Sequence, residues 1–223
     1  MLASLRLPRY LVPVLLRFRL CVRRDRKPWV WLQDPADPNS LRMVPQQSTI
    51  HNNFIVRTSF VGPSKNLYCI DHDDGSSMYN DTDNFLVYGG IKFREGLSKH
   101  AGDNYMCYPN GPDAREVPFA DQCKGSNNSY TGNTVVSHAG QFYGACASYQ
   151  TADPTDHVTI DFNSYYSANA SFDDGGCGAT EGLSWSEWQH SGLQQDTHST
   201  LLDSTGLSYT AMLAAGKAKL PGF

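Results

Sequence analysis

From His51 onward the chain alternates short apolar runs with polar turns, and five of those runs follow directly on an asparagine. Asn53 precedes Phe54-Ile55-Val56, Asn66 precedes Leu67-Tyr68-Cys69-Ile70, and Asn84 precedes Phe85-Leu86-Val87-Tyr88. Asn104 precedes Tyr105-Met106-Cys107-Tyr108, and Asn133 precedes Thr134-Val135-Val136-Ser137. The intervals of 13, 18, 20 and 29 residues are too uneven for a strict repeat. They suit strand-bearing passes of roughly 20 to 30 residues with loops of variable length. A run of three or four apolar residues cannot bury itself, so neighbouring passes must stack. Asparagine tolerates the left-handed backbone of a sharp turn, and stacked asparagine side chains can bond along a ladder. A β-sandwich with asparagine in ordinary turns is the alternative for the same pattern.

The other segments are less regular. Residues 29–47 read as loop and short extended pieces, punctuated by Pro35, Pro38 and Pro45. Gly89-Gly90 marks a corner or a bulge, residues 92–99 a charged surface excursion, and residues 108–130 a long loop whose ends Cys107 and Cys123 could staple. Residues 158–162 form a further strand. Residues 173–178 read as a Gly-rich loop, and 185–189 lie in a polar stretch. Residues 209–220 are the one Ala-rich, helix-prone segment, weakened by Gly216 and suited to covering an open strand edge.

Composition agrees with an all-β chain: twelve Tyr, ten Phe, nineteen Gly and twelve Pro favour strands and turns. The 223 residues suffice for one domain with a core. Its expected extent is 28–223, after a basic segment, 1–27, that reads as a presequence or as a truncated or mis-joined start. That segment carries eight basic side chains and one acid, which leaves −11 on the rest of a chain whose net charge is −4. An acidic body without a basic stripe argues against nucleic acid as a partner. The apolar stretch 10–16 is interrupted by Pro13 and falls short of the roughly 20 residues of a membrane span. Five body cysteines without a CxxC pair, and sequons at Asn80, Asn127 and Asn169, point to a secreted glycoprotein with disulfides; a monomer is expected. Buried free thiols in a cytosolic protein are the alternative.

Residues 66–84, NLYCIDHDDGSSMYNDTDN, resemble the right-handed parallel β-helix class, the pectin-lyase-like superfamily. An Asn-initiated strand runs into Asp73-Asp74-Gly75-Ser76, and a second Asn-initiated strand follows. Residues 192–204, GLQQDTHSTLLDS, resemble a segment common near the end of such domains. The resemblance spans about residues 51–204 and implies a right-handed parallel β-helix, a solenoid with irregular loops and a short C-terminal helix. Members are mostly glycoside hydrolases, polysaccharide lyases and epimerases, so it implies a polysaccharide or glycan as partner. The Gly-His-Gly and Arg-Ile-Lys elements of a polygalacturonase are not matched by Ser137-His138-Ala139-Gly140 and Gly90-Ile91-Lys92. The Arg-x-Pro-x-x-Arg element of a pectate lyase is missing. No activity is therefore carried over residue by residue.

The acidic segment carries the candidate chemistry. Glycoside hydrolysis needs two carboxyl groups about 5 to 9.5 Å apart, and residues one pass apart stack at about 4.8 Å. Asp73 and Asp74 lie about one pass before Glu95, which makes these three the candidate catalytic acids; crowding would keep one of them protonated. His72, Lys92, Arg94, Tyr79 and Tyr88 are the candidate substrate-binding residues, with Lys99, His100, Tyr68, Tyr105 and Tyr108 as further cations and rings. The same acids also suit a plain turn. With Asp71, Asp81 and Asp83, Asp73 would suit a calcium site, though not one with helix-loop-helix spacing. The sequence thus points to a glycoside hydrolase without a required cofactor. A non-catalytic glycan-binding β-helix and a calcium-dependent lyase are the alternatives. No Gly-x-Ser-x-Gly element supports a serine hydrolase.

Overall fold

The computed structural model describes residues 22–23, 29–34, 37–45, 47–56, 68–72, 76–94, 96–108, 117–120, 126–137, 140–143, 158–173, 182–191, 195–220 and 222. The strands in chain order begin with β1 (Val22–Arg23), β2 (Trp29–Asp34), β3 (Asp37–Pro45), β4 (Ser48–His51), β5 (Phe54–Val56) and β6 (Tyr68–His72). Next come β7 (Tyr79–Thr82), β8 (Phe85–Val87), β9 (Gly90–Arg94), β10 (Lys99–Gly102), β11 (Tyr105–Cys107) and β12 (Val117–Ala120). The last are β13 (Ser129–Thr131), β14 (Thr134–Val136), β15 (Thr159–Asp161), β16 (Ser164–Ser167) and β17 (Thr200–Asp203). Two α-helices are described, α1 (Trp185–Gln189) before β17 and α2 (Tyr209–Ala218) after it, besides a single 3-10 turn at Ala168–Ala170.

The chain is mostly β, and the larger sheets are built from parallel strands. One sheet has the order β1-β4-β7-β10-β13-β15, a second β17-β16-β14-β11-β8-β5, and a third β12-β9-β6. Three times in succession the chain runs from the first sheet to the second and then to the third before returning. β1 is the exception, antiparallel to β4. Residues 29–47 hold more regular structure than their prolines suggest: β2 and β3 form an antiparallel pair, Val30 opposite Val44 and Trp31 opposite Met43.

The asparagine ladder is present and sets the corner between the first and second sheets. The amide oxygen of Asn84 accepts from the backbone N–H of Asn53 at 3.1 Å and from its Nδ2 at 3.0 Å. Asn104 does the same for Asn84, Asn133 for Asn104 and Asn163 for Asn133. At the far end the Ser199 hydroxyl accepts from the Asn163 N–H at 2.8 Å. The left-handed residue at each corner is the one before the ladder residue: Asn52, Asp83, Asp103, Gly132 and Phe162 all have φ between 55° and 71°. The ladder asparagine itself is not left-handed, because its side chain must point inward to bond. Asn163 belongs to the ladder although the strand after it, Ser-Tyr-Tyr-Ser, is not an aliphatic run. Asn66 lies outside the described residues.

Two apolar layers follow from the alternation along the second sheet. Leu86, Met106, Val135 and Tyr165 face a main core with Ile70, Ile91, Phe93, Tyr130 and Ile160. Phe85, Val87, Tyr105, Cys107 and Val136 face the other way, into a second layer with Met212 and Leu220 of the C-terminal segment. Strands buried on both faces read as unbroken apolar runs, which is why β8 and β11 stand out in the sequence. The C-terminal helix therefore does not cover a sheet end; α2 lies on the broad outer face of the second sheet. Gly216 is no weakness there, since a Cβ on it would sit 2.3 Å from the Phe85 ring. The covering of the last strands is done by α1, expected only as polar sequence. Ser184 and Glu187 form a reciprocal capping box, and Trp185 and Trp188 lie against Tyr165, Phe172 and Tyr143. The Gln195 side chain and the Asp196 backbone bond Ile160, on the edge strand β15.

Residues 92–99 are likewise not a surface excursion: Lys92 lies in β9, and Lys99 is fully buried in β10. The strand expected over 158–162 is β15. Within 108–130, β12 is a described strand. Cys69 Sγ lies 3.8 Å from the carbonyl oxygens of Ile55 and Val87, the Cys107 thiol is buried, and Cys123 lies outside the described residues. No described helix is long and apolar enough to cross a membrane.

Asn104→Ala should cost about 3 kcal/mol in urea unfolding, because it strands the buried N–H of Asn84 and removes the side-chain bonds to Asn84, Asn133 and the Asp81 carbonyl. Gly216→Ala should cost about 2 kcal/mol by driving α2 off Phe85. A loss below 0.5 kcal/mol in either would refute the packing described.

Candidate functional site

Chemistry-bearing residues collect where the third sheet turns back to the first. Ile70 pairs with Ile91, Asp71 with Lys92 and His72 with Phe93. Alternation sends Ile70 and His72 inward and Asp71 outward. On the outside, Lys92 Nζ lies 3.1 Å from Asp71 Oδ1 and 5.5 Å from the centre of the Tyr68 ring. On the inside, His72 Nε2 meets Asp81 Oδ2 at 2.5 Å, with both residues buried. The imidazole also packs on Tyr79 at 4.3 Å and Phe93 at 5.7 Å between ring centres. Among the described residues, Oδ1 of Asp81 has no hydrogen-bond partner.

The turn after β6 runs beside the turn after β9. Leu97 N–H donates to Ser77 Oγ at 3.0 Å, and Met78 N–H to the Leu97 carbonyl at 2.9 Å. Gly96, with φ +69°, backs so closely onto Ser76 that a Cβ would lie 2.0 Å from its carbonyl oxygen. Only glycine fits there. Asp73, Asp74, Glu95 and the side chain of Arg94 lie outside the described residues; their flanks, His72 with Phe93 and Ser76 with Gly96, are neighbours.

The other candidates are dispersed. Of the acids considered for calcium, Asp71 is exposed beside Lys92, Asp81 faces inward onto His72, and Asp83 is exposed at the corner before Asn84. Among the described residues no group of three or more His, Cys, Asp or Glu is arranged to hold a metal. Lys99 lies inside, 5.3 Å from the centre of the Phe93 ring, out of reach of a ligand on the outer face. His100 points outward, its Nδ1 2.8 Å from Ser129 Oγ. Tyr79 is half-buried against His72, and Tyr88 packs on the layer beneath α2.

Two further clusters have no local signature in the sequence. Asp196 is fully buried and accepts from Tyr143 OH at 2.5 Å, Ser199 Oγ at 2.6 Å, Trp188 Nε1 at 2.9 Å and Tyr165 OH at 3.1 Å. The Tyr143 and Tyr165 hydroxyls also touch one another. Burial pushes the Asp196 carboxyl up, against the pull of those donors. Burial, with Asp196 and Tyr165 alongside, pushes the Tyr143 hydroxyl well up, so it remains a donor.

The second cluster is on the surface. Asp161 Oδ2 lies 2.6 Å from His198 Nδ1, and its Oδ1 accepts from the backbone N–H groups of His198 and Phe162 at 2.7 and 2.9 Å. The Phe162 and His198 rings stack at 4.9 Å, within 6° of parallel. Phe162 is 62% exposed and occupies the left-handed corner position that Asn52, Asp83, Asp103 and Gly132 fill elsewhere. An aromatic residue is strained in that conformation and gains little burial here. Burial alone would raise the Asp161 carboxyl; hydrogen bonds from the His198 side chain and backbone, from Phe162 N–H and from Thr197 outweigh it and hold the group below the usual carboxylate range.

Comparison with protein-family models, curated proteins and solved structures gives no match.

Asp196→Asn would turn an amide N–H₂ toward groups that already donate. It should cost about 2 to 3 kcal/mol in urea unfolding followed by tryptophan emission, whereas a change within 0.5 kcal/mol would remove the network from the core's support. The stability from Asp161 is fully present above its ordinary value of 3.8 and is lost as pH falls through the lower folded value. The gap in urea midpoint between wild type and Asp161→Asn should therefore close on acidification below that value. A gap that widens instead would reject the pairing.

Proposed function

We propose that this chain is a right-handed parallel β-helix of the pectin-lyase-like kind that acts on extracellular polysaccharide as a glycoside hydrolase. Its acids are Asp73 and Asp74, with Glu95 as their partner. The observation that supports this reading is the register of the two turns: Ser77 bonds Leu97, and Gly96 backs onto Ser76. Ser76-Ser77 and Gly96-Leu97 thus belong to adjacent passes, where parallel strands stand about 4.8 Å apart. That spacing suits two carboxyl groups flanking a glycosidic bond. Asp71 and Tyr68 on the same outer edge offer a carboxylate and a ring to a sugar, with the buried Lys92 ammonium holding both. His72 and Asp81 lie beneath as a buried support.

Non-catalytic glycan binding is the second reading, favoured by the exposed Phe162–His198 stack. Aromatic faces beside an oriented imidazole and a carboxylate suit a pyranose ring without providing turnover.

A polysaccharide digestion screen separates the two. Under hydrolysis, wild type releases reducing ends, with or without a calcium chelator and without an ultraviolet-absorbing unsaturated product. Asp73→Asn/Asp74→Asn should lower that release about a thousandfold at an unchanged unfolding midpoint. Under glycan binding alone, no polysaccharide is cut, and Phe162→Ala weakens retention on the immobilised polymer. Chelator-sensitive, ultraviolet-absorbing product would replace both readings with a lyase.

A further inference from the structure

The corner between the first and second sheets presents one residue per pass just before each ladder position. In chain order these are Asn52, Asp83, Asp103, Gly132, Phe162 and His198. All but Gly132 are exposed or partly so through a side chain. The row beside them, on the outer face of the first sheet, contains Thr82, Gly102, Thr131 and Asp161. Two glycines therefore meet in adjoining passes, Gly102 in the sheet row and Gly132 in the corner row. A Cβ on Gly102 would meet nothing nearer than 3.5 Å, so the surface is open there. The result is a notch in the corner.

Phe162 forms one wall of the notch. One face of its ring is covered by His198, the next residue along the row, at 4.9 Å and within 6° of parallel. The opposite face looks back along the row over Gly132, which has no side chain to cover it. His198 is held against swinging aside, because Asp161 bonds both its Nδ1 and its backbone N–H. Asp103 forms the other wall: its Oδ1 lies 2.9 Å from where a Cβ on Gly132 would stand. Passes repeat at about 4.8 Å, so Phe162 and Asp103, two passes apart, leave room between them for one saturated ring.

The two walls select the ligand. A bare aromatic face attracts C–H groups and cations through its negative quadrupole. Asp103, with Asp83 one pass further, brings negative charge to the facing wall, and neither is in an ion pair among the described residues. These carboxylates repel a uronate or a sulfated sugar and favour a ring that carries a cation. An aminosugar meets both demands. We infer that the Gly132 notch binds one hexosamine unit, with Phe162 against its C–H face and Asp103 on its ammonium group. The inference rests on the glycan-binding reading of the Phe162–His198 stack and adds the class of sugar to it.

The test uses the full chain and three tetrasaccharides of one linkage, built from glucosamine, N-acetylglucosamine and glucose. They differ only in the group on the second ring carbon. Binding is followed at low salt and mildly acidic pH by the proton signals of the Phe162 and His198 rings. The glucosamine tetramer should bind about fivefold more tightly than the glucose one, the upper weight of an exposed ion pair, and the acetylated tetramer should rank with glucose. Asp103→Asn should bring all three to the same affinity. Phe162→Asn places in the left-handed corner a residue suited to it, as at Asn52. It should abolish binding of all three while the unfolding midpoint stays at or above that of wild type. Equal affinity of wild type for the three would overturn the choice of sugar and leave the glycan reading standing. No binding of any of them would overturn the inference, and retention of wild type on immobilised polysaccharide then decides whether the glycan reading falls with it. Glucosamine binding that survives Phe162→Asn would reduce the effect to attraction of a polycation by an acidic chain, and would also overturn the inference.

Discussion

A side-chain amide that bonds its own copy in the next pass is the constraint on which the other features rest. Each ladder asparagine supplies the oxygen that its predecessor's backbone N–H and Nδ2 require, and also donates to a carbonyl of the first sheet or its corner. Asn84 reaches Ile50, Asn104 reaches Asp81, Asn133 reaches Ala101, and Asn163 reaches Tyr130. The ladder asparagines are buried, so none of these bonds can be replaced by water without moving backbone. Once the corner is fixed, strand register on both sides of it follows. Because the side-chain period of a strand is two residues, register then decides which residues face the main core and which face α2.

That division separates stability from chemistry. The second sheet is apolar on both faces, one toward the main core and one toward α2. The third sheet keeps an outward row that includes Asp71 and Lys92, and charged or polar groups gather at its turn. The interior is not wholly apolar near that turn: His72 and Asp81 sit inside, where the later passes place Tyr130 and Ile160 in the row of Asp81. A paired imidazole and carboxylate in such a position cost desolvation that an apolar pair would not.

The ladder was legible because its signal is local: an asparagine, then three residues with apolar character. Asn163 escaped that rule because Phe162 and Ser164 disguise the corner, yet its position one pass beyond Asn133 would have found it. The parallel strands were expected only from the resemblance that residues 66–84 carry, since the asparagine pattern alone also suits a β-sandwich. The place of α2 was not legible, since covering a face differs from covering an end only when the outward row Phe85-Tyr105-Thr134 is known. Lys99 looked like surface because charge usually is surface, and only the register with Tyr79 brings it inside. Asp196 was hidden for a different reason: its donors come from residues 143, 163, 165, 188 and 199, and no window of sequence contains them. The fit of Gly96 against Ser76 was hidden for the same reason, since the two lie twenty residues apart.

Successive ladder residues are separated by 31, 20, 29 and 30 positions. The bond at the end of each interval is nevertheless the same. The chain can therefore gain or lose residues between corners without disturbing the frame, as long as the asparagine returns to its place. Loop and frame are uncoupled, so new surface segments can be grafted between strands and varied independently. Such an architecture can diversify what it touches while keeping how it stands.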